Sequence, residues 1–365
     1  MLTAPEKIIF IVLAIACFCA SYFTFTKMFR VIGLGKDPID WKKVAQNWKA
    51  GLDTFISQKT LFKTRPVVGF IHALVAWGFS LYLFVNIIDV LYGLIPDFKF
   101  LPNHFIGDIY RIFVDIFTVL VLVGVLYFLI RRFVLKDNRL EINTPVMISD
   151  SALKGMRFDS LLVGSFILVH VGSRFLSASF EIAGSHSDWS QPAANLIAKL
   201  WIGMEHDKII LMEHITWWLA LGLILFFLPY FPYSKHAHLF MGPLNIMATT
   251  ERKSMAALEK IDFEDDDIEQ FGAAQIQHLP QTQLLDGYAC IQCSRCQDAC
   301  PAYETGKELS PSALEINKRY FFNENLDLLA KGEAIDKALT DWMLTEEAAW
   351  SCTTCGYCVE VCPVG

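Results

Sequence analysis

The chain has 365 residues, 54% of them hydrophobic and 19% charged, with a net charge of −7 and a mean hydropathy of +0.38. That composition excludes an ordinary soluble globular domain. With that acidic balance, no nucleic-acid partner is expected.

Apolar residues concentrate before residue 235. Five stretches there reach the ~19-residue length of a membrane span: 7–29, 67–93, 109–131, 159–182 and 208–231. No small-residue cleavage pattern follows the first, so it is expected to be retained and not removed as a signal peptide. It carries no His and no charge between Ile8 and Thr26. Cys17 and Cys19 within it read as small apolar packing residues.

Loop charge predicts the orientation. Residues 27–65 carry nine Lys or Arg and residues 131–157 carry six, whereas 94–108 holds only Lys99 and 183–207 only Lys199. This places the N-terminus outside and the C-terminal region in the cytoplasm of a cell inner (cytoplasmic) membrane. The first basic loop has Trp41 and Trp48 among lysines, which predicts an amphipathic helix lying in the interface.

Span two opens at Arg65-Pro66 and places His72 about 9 Å along the helix from its cytoplasmic end. Span three has Arg111 and Asp115 four apart, a spacing that allows pairing on one face. Span four carries His170 and Arg174, also four apart, near mid-membrane. Charge at that depth is costly and points to function, with a structural ion pair, for instance to Glu181, as the bland alternative. Span five carries Glu213, His214, Trp217 and Trp218, the tryptophans bordering a cofactor or lipid. It ends in Pro229-Tyr-Phe-Pro232-Tyr-Ser-Lys-His236-Ala-His238.

Residues 240–284 form a linker containing the acidic run Glu264-Asp-Asp-Asp267. Residues 262–365 carry 19 acidic and 6 basic side chains, which suits a docking partner with a basic face. Between 301 and 351, Ser310-Pro311 predicts an N-cap with proline at the first helical position, and a second helix is expected over 333–349.

Cys290-x2-Cys293-x2-Cys296-x3-Cys300-Pro and Cys352-x2-Cys355-x2-Cys358-x3-Cys362-Pro share one spacing. A zinc site takes four ligands in two pairs. Eight cysteines in two identical quartets, each followed by proline, instead form the bacterial ferredoxin pattern for two [4Fe–4S] clusters. In that pattern three thiolates wrap one cubane and the fourth closes the other. The expected sets are Cys290, Cys293, Cys296 with Cys362, and Cys352, Cys355, Cys358 with Cys300. A reducing compartment keeps these thiols available. No Gly-x-Gly-x-x-Gly fingerprint or Walker loop accompanies them.

The span-two motif Gly69-Phe-Ile-His72 with Gly78-Phe79, and Tyr233-Ser-Lys-His236-Ala-His238, resemble the gamma subunit of respiratory nitrate reductase, a five-helix cytochrome b. The stretch Cys296-Gln-Asp-Ala-Cys300-Pro-Ala-Tyr-Glu-Thr-Gly-Lys-Glu-Leu-Ser-Pro311 resembles the two-cluster module of heterodisulfide reductases. The fusion is similar to membrane-bound iron–sulfur oxidoreductases that link electron-transfer flavoprotein to menaquinone.

The resemblance implies an all-α fold: a five-helix transmembrane cytochrome b bundle over 1–239, then an α-helical two-[4Fe–4S] ferredoxin domain over 285–365. It implies a haem b held by His72 and His236, with His238 as the rival. Tyr82 stands where the gamma-subunit pattern has a second span-two histidine. A second haem would therefore need His170 and His214, whose depths differ by about 9 Å from the span ends. A quinone site would draw on Arg174, His170 and Glu213.

The implied function is a quinone-linked oxidoreductase subunit. Its implied partners are a cytoplasmic flavoprotein or a CCG-domain iron–sulfur subunit, the quinone pool and the lipid bilayer. The alternative is a membrane anchor with structural or redox-sensing clusters. The chain ends two residues after Pro363, so the CCG-type domain is expected on a separate subunit or beyond a trimmed end.

Overall fold

The structure is a computed structural model. It describes residues 2–98, 100–101, 104–185, 187–249, 262–264, 270–333 and 335–365. Lys99, most of the acidic run at 264–267 and part of the 240–284 linker lie outside the described residues.

Helices follow one another along the chain. They are α1 Ala4–Ile32, α2 Trp41–Gln46, α3 Trp48–Ser57, α4 Lys59–Thr64, α5 Pro66–Leu94, α6 Phe105–Leu129, α7 Asp150–Gly184, α8 Pro192–Ala198, α9 His206–Trp217 and α10 Leu223–Tyr230. Then come α11 His238–Ala248, α12 Gln281–Ala289, α13 Arg295–Asp298, α14 Pro301–Glu304, α15 Pro311–Glu324, α16 Leu326–Ala330, α17 Glu346–Trp350 and α18 Tyr357–Glu360. Among the described residues no strand forms, only an isolated bridge between Lys36 and Pro280.

Five helices are long and apolar enough to cross a membrane: Ala4–Ile32, Pro66–Leu94, Phe105–Val134, Asp150–Gly184 and His206–Tyr233. They coincide with the five expected spans. Ile8, Val12, Ile15, Leu83, Val123 and Phe226 are exposed along them, as helices solvated by hydrocarbon require. The helices fall into two compact units, one of Met1–Tyr22, Val67–Leu135 and Leu161–Tyr230, the other of Phe23–Pro66, Lys136–Ser160 and Phe231–Gly365.

In the first unit α5 and α6 meet through small residues. A Cβ on Gly78 would lie 2.3 Å from a Val121 methyl, and one on Gly124 would lie 2.6 Å from a Val75 methyl. Without side chains there, the helices approach closely enough for dispersion to hold them in lipid.

Arg111 and Asp115 do not pair with each other. Asp115 accepts from the Ala193 and Ala194 N–H groups at the start of α8 (2.7 and 3.0 Å). Arg111 pairs with Asp108 and, at 2.9 Å, with Asp188. The free N–H groups of a helix end are a better partner for a buried carboxylate than a neighbour on its own helix.

In the second unit α12, α2 and α3 all pack on α11. Asn47 donates to the Met247 carbonyl (3.2 Å), and Gly51 leaves room for the Met247 side chain. The basic loop forms three short helices whose Trp41, Trp48, Leu52 and Ile56 are exposed. This is the face an interfacial helix presents.

Ser310 caps α15 through the Ala313 N–H (3.1 Å), with Pro311 at the first helical position. No helix spans 333–349. Gly332, at φ +77°, ends the preceding turn, a 3-10 turn covers Leu339–Asp341, and Thr345 caps the separate α17.

Candidate metal centre and the histidines

The two cysteine runs adopt one backbone. Gln292 and Ser294 in the first have φ of 54° and 59°, and Thr354 and Gly356 take 53° and 68° at the same places in the second. Left-handed residues at those points turn the chain around a concave surface lined by N–H groups, a shape that suits anionic clusters. The Gln292 N–H lies 3.4 Å from the Cys290 sulfur, and the Thr354 N–H lies 3.4 Å from the Cys352 sulfur. Each run then enters a single-turn helix, α13 or α18, and these two helices pack on each other.

Thiols of the two runs lie close enough to influence one another. Burial pushes the Cys296 thiol well above its usual pKa, and the nearby Cys293, Cys290 and Cys362 sulfurs raise it further. Cys290 rises to about 12 through burial, with Glu315 and Cys293 adding. Cys362 rises through burial, then through Cys293 and Cys290. The Cys358 thiol is raised by burial and by Cys300, Cys352 and Cys355.

Thiols raised by burial become thiolates readily when they bind a metal. Grouped sulfurs with backbone N–H donors therefore fit an iron–sulfur cluster in each set. Among the described residues no three His, Cys, Asp or Glu side chains close on a single metal ion. A tetrahedral zinc would need sulfurs about 3.8 Å apart, whereas a cubane holds them wider.

Charged groups wrap the first set. Arg319, 1% exposed, donates to the Gly287 carbonyl (2.8 Å), to the Ser234 carbonyl (2.5 Å) and to the Tyr288 carbonyl. Lys318 pairs with Glu315 (2.9 Å) and donates to the Gln283 carbonyl (2.7 Å). Burial raises the carboxyl pKa of Glu315 and of Asp286, with Lys318 opposing both shifts. Asp286 accepts from Asn245 (2.7 Å). Sequence reading missed this layer. Its only signal was Lys318-Arg319 inside an otherwise core-facing helix.

His72 belongs to the first unit, where its ring meets Phe128 edge-on at 6.3 Å. His236 belongs to the second unit and is 8% exposed. The last span does not run on as one helix to these histidines. Around Pro229 and Pro232 it gives way to 3-10 turns at Phe231–Tyr233 and Lys235–Ala237, and α11 starts at His238. The His236 and His238 rings stand 6.1 Å apart and nearly perpendicular. His238 Nδ1 lies 2.6 Å from the Lys235 carbonyl, and burial lowers its pKa to about 4.

His170 and His214 are engaged separately. His170 Nδ1 sits 2.7 Å from the Ala220 carbonyl, which the π-helical turn Trp218–Gly222 presents, and its Nε2 is 3.4 Å from the Asn86 amide. His214 Nδ1 lies 2.9 Å from Glu6. Tyr82, where the gamma-subunit pattern has histidine, is 2% exposed. Its hydroxyl bonds Thr118 (2.6 Å) and its ring packs edge-on against His170 at 5.9 Å. Arg174 pairs with Asp89 (3.2 Å) and not with Glu181. Trp217 donates to the Asp89 carbonyl and Trp218 to Glu6, each at 3.2 Å, so both indoles serve the helix packing.

Five apolar helices and two cysteine quartets on an all-α frame define a membrane protein carrying iron–sulfur clusters. Residues 286–365 match the 4Fe-4S dicluster domain family. The chain is 31% identical to a probable iron-sulfur-binding oxidoreductase FadF of Bacillus subtilis, over 100% of its own length and 54% of that protein's. It is 27% identical to an EtfAB:quinone oxidoreductase of Syntrophomonas wolfei, over 94% of this chain and 50% of that one. A probable membrane-anchored ferredoxin of Chromohalobacter salexigens is 29% identical over 29% of this chain and 18% of its own. The chain thus spans about half the length of the first two relatives. No solved structure matches it significantly. The resemblance to iron–sulfur oxidoreductases of this type holds along the chain.

Proposed function

We propose that the chain is the electron-relaying part of a quinone-linked oxidoreductase. What supports this reading is that one chain carries two thiol quartets, proposed to be crossed as Cys290, Cys293, Cys296 with Cys362 and Cys352, Cys355, Cys358 with Cys300, and five helices apolar enough to cross a membrane. Bound there, [4Fe–4S] clusters supply one-electron transfer. The protein's residues fix the distance between the two sets through the α13–α18 contact. Burial and the Arg319, Lys318 and Glu315 charges tune the first set.

The name of one relative, an EtfAB:quinone oxidoreductase, supports an electron-transfer flavoprotein and a quinone as partners, while menaquinone as that quinone and a CCG-domain iron–sulfur subunit as the other candidate rest on the sequence resemblance. A haem b on His72 and His236 rests on the sequence resemblance. His170 and His214, each held by its own partner, support one haem better than two. Arg174, with Asp89, His170 and Tyr82 around it, is the polar group best suited to a quinone. Loop charge supports a cluster domain on the cytoplasmic side of the inner membrane, and the division into a haem domain over 1–239, a linker over 240–284 and a cluster domain over 285–365 rests on the sequence resemblance.

The test is a reduced-minus-oxidised spectrum of the purified protein with added quinol. A low-spin haem b signal that responds to quinol is expected. His72→Ala or His236→Ala should remove it with the clusters intact, and His238→Ala should keep it. A colourless Soret region overturns the haem relay.

A further inference from the structure

Ionisable side chains that carry no electrons gather in the first unit, at the end of the bundle where α1 begins. Glu6 lies in the first turn of α1, and His214 lies about 12 Å along the last span from its start at His206. The two meet: His214 Nδ1 is 2.9 Å from each carboxylate oxygen of Glu6. Glu6 also accepts from the Thr3 N–H (2.8 Å), the Thr3 hydroxyl (2.7 Å) and the Trp218 indole (3.2 Å). A carboxylate with that many donors accepts and does not donate, so the shared proton is fixed on His214 Nδ1. Nε2 is left with its lone pair and makes no hydrogen bond among the described residues. The side chain is 19% exposed, so protons can reach the ring from outside the bundle. An imidazole with one nitrogen held by a carboxylate and the other open takes up and gives back protons at the open nitrogen.

The pair is linked to the polar site at Arg174. Trp217, one turn on from His214, donates to the Asp89 carbonyl (3.2 Å), and the Asp89 carboxylate pairs with Arg174 (3.2 Å). Glu213 lies close enough to His214 and to Glu181 for each to influence it, and Glu181 is in turn within the influence of Arg174 and Asp89. These groups form a row that leads from a partly exposed ring to the Arg174 site. Charge on membrane helices is costly. One ion pair for packing would explain Arg174 with Asp89, but not the row beside it.

Quinone turnover needs such a row. Reduction adds two electrons and two protons, and each carbonyl oxygen becomes a hydroxyl. Arg174 does not release its proton, and Asp89 is committed to Arg174. We propose that His214, oriented by Glu6, relays protons between water and a quinone bound at Arg174, with Glu213 and Glu181 as the steps between. Electrons arrive from the iron–sulfur clusters. For each one, His214 Nε2 gives up a proton toward the quinone and regains one from water. Quinol oxidation runs the same steps backward. The relay rests on the quinone reading of Arg174 and adds to it the route of the protons.

The experiment uses the cluster-loaded full chain in nanodiscs, reduced with dithionite and mixed rapidly with a soluble naphthoquinone. Reoxidation at varied quinone gives a maximal rate and a half-saturating concentration. Ferricyanide, which takes an electron and no proton, is the control. His214→Gln should lower the maximal rate with naphthoquinone by about tenfold or more. Half-saturation, the ferricyanide rate, iron content and any haem signal should stay unchanged. Should His214→Gln fail to fold, Glu6→Gln, which keeps the shape, carries the test with a smaller loss of the same sign. A wild-type rate in both variants overturns the relay and leaves the quinone reading standing. So does a loss shared with ferricyanide or seen only in half-saturation, which would mark a packing role, and so does loss of a haem signal, which would make His214 a ligand. A wild-type chain that ferricyanide reoxidises and naphthoquinone does not overturns the quinone reading, and the relay with it.

Discussion

The two cysteine runs have the same spacing and the same left-handed turns but different surroundings. Around the first, Gln292, Ser294, Arg295 and Gln297 are 1–4% exposed. Around the second, Trp350, Tyr357 and Val359 are 83%, 53% and 44% exposed, and Cys352 itself is exposed. One loop design therefore serves two environments, and burial is a main control on cluster potential. The first set is insulated by protein, while the second is open to whatever docks there.

The largest test of that comparison exchanges the crossing ligands. Cys300→Ser should remove the cluster of Cys352, Cys355 and Cys358, and Cys362→Ser that of Cys290, Cys293 and Cys296. Each should cost about half the cluster iron. Cluster-resolved EPR after partial reduction reads which half is lost, and loss of the run that carries the mutation alone would mean uncrossed ligands.

Exposure should also set the order of iron loss. With a strong chelator after mild oxidation, the second-set signal should decay first, about tenfold faster or more, because opening the buried first set costs at least ~1.4 kcal/mol extra. Equal decay would show that burial does not protect the first.

The smallest effect concerns the turns. Thr354, a β-branched residue at φ 53°, is strained, so Thr354→Gly should raise stability by about 1 kcal/mol. Gln292→Gly relieves similar strain but empties a buried position, and should give a smaller gain or none. Thermal loss of cluster absorbance measures both, and equal gains would break the distinction.

The spans and the dicluster region were legible because each rests on a local property: hydropathy over one helix length, or cysteine spacing in one run. What escaped depends on partners distant in the chain. Arg174 finds Asp89 on another span, and Asp115 finds the start of α8, 78 residues away. Arg65 reaches Cys293 across 228 positions. The expected helix over 333–349 failed for a local reason, since Gly332 and the Thr345 cap punctuate a stretch whose composition alone favoured helix. The inclusion of 23–66 and 136–160 with the C-terminal region left no mark in composition, because basic loop residues look the same whether they face water or a cluster domain.

Arg319 carries one consequence for rates. Its guanidinium joins the carbonyl of Ser234, two residues before His236, to those of Gly287 and Tyr288, the latter two residues before Cys290. Electron tunnelling falls exponentially with the gap between redox groups. A side chain that ligates nothing therefore sets how far position 236 stands from the first thiolate. Shortening it to lysine would keep the charge but lose the fork that clamps both segments, and, with a haem on His236 as proposed, the loss would register as a slower and more widely scattered hop to the first cluster, with the ligands of both untouched.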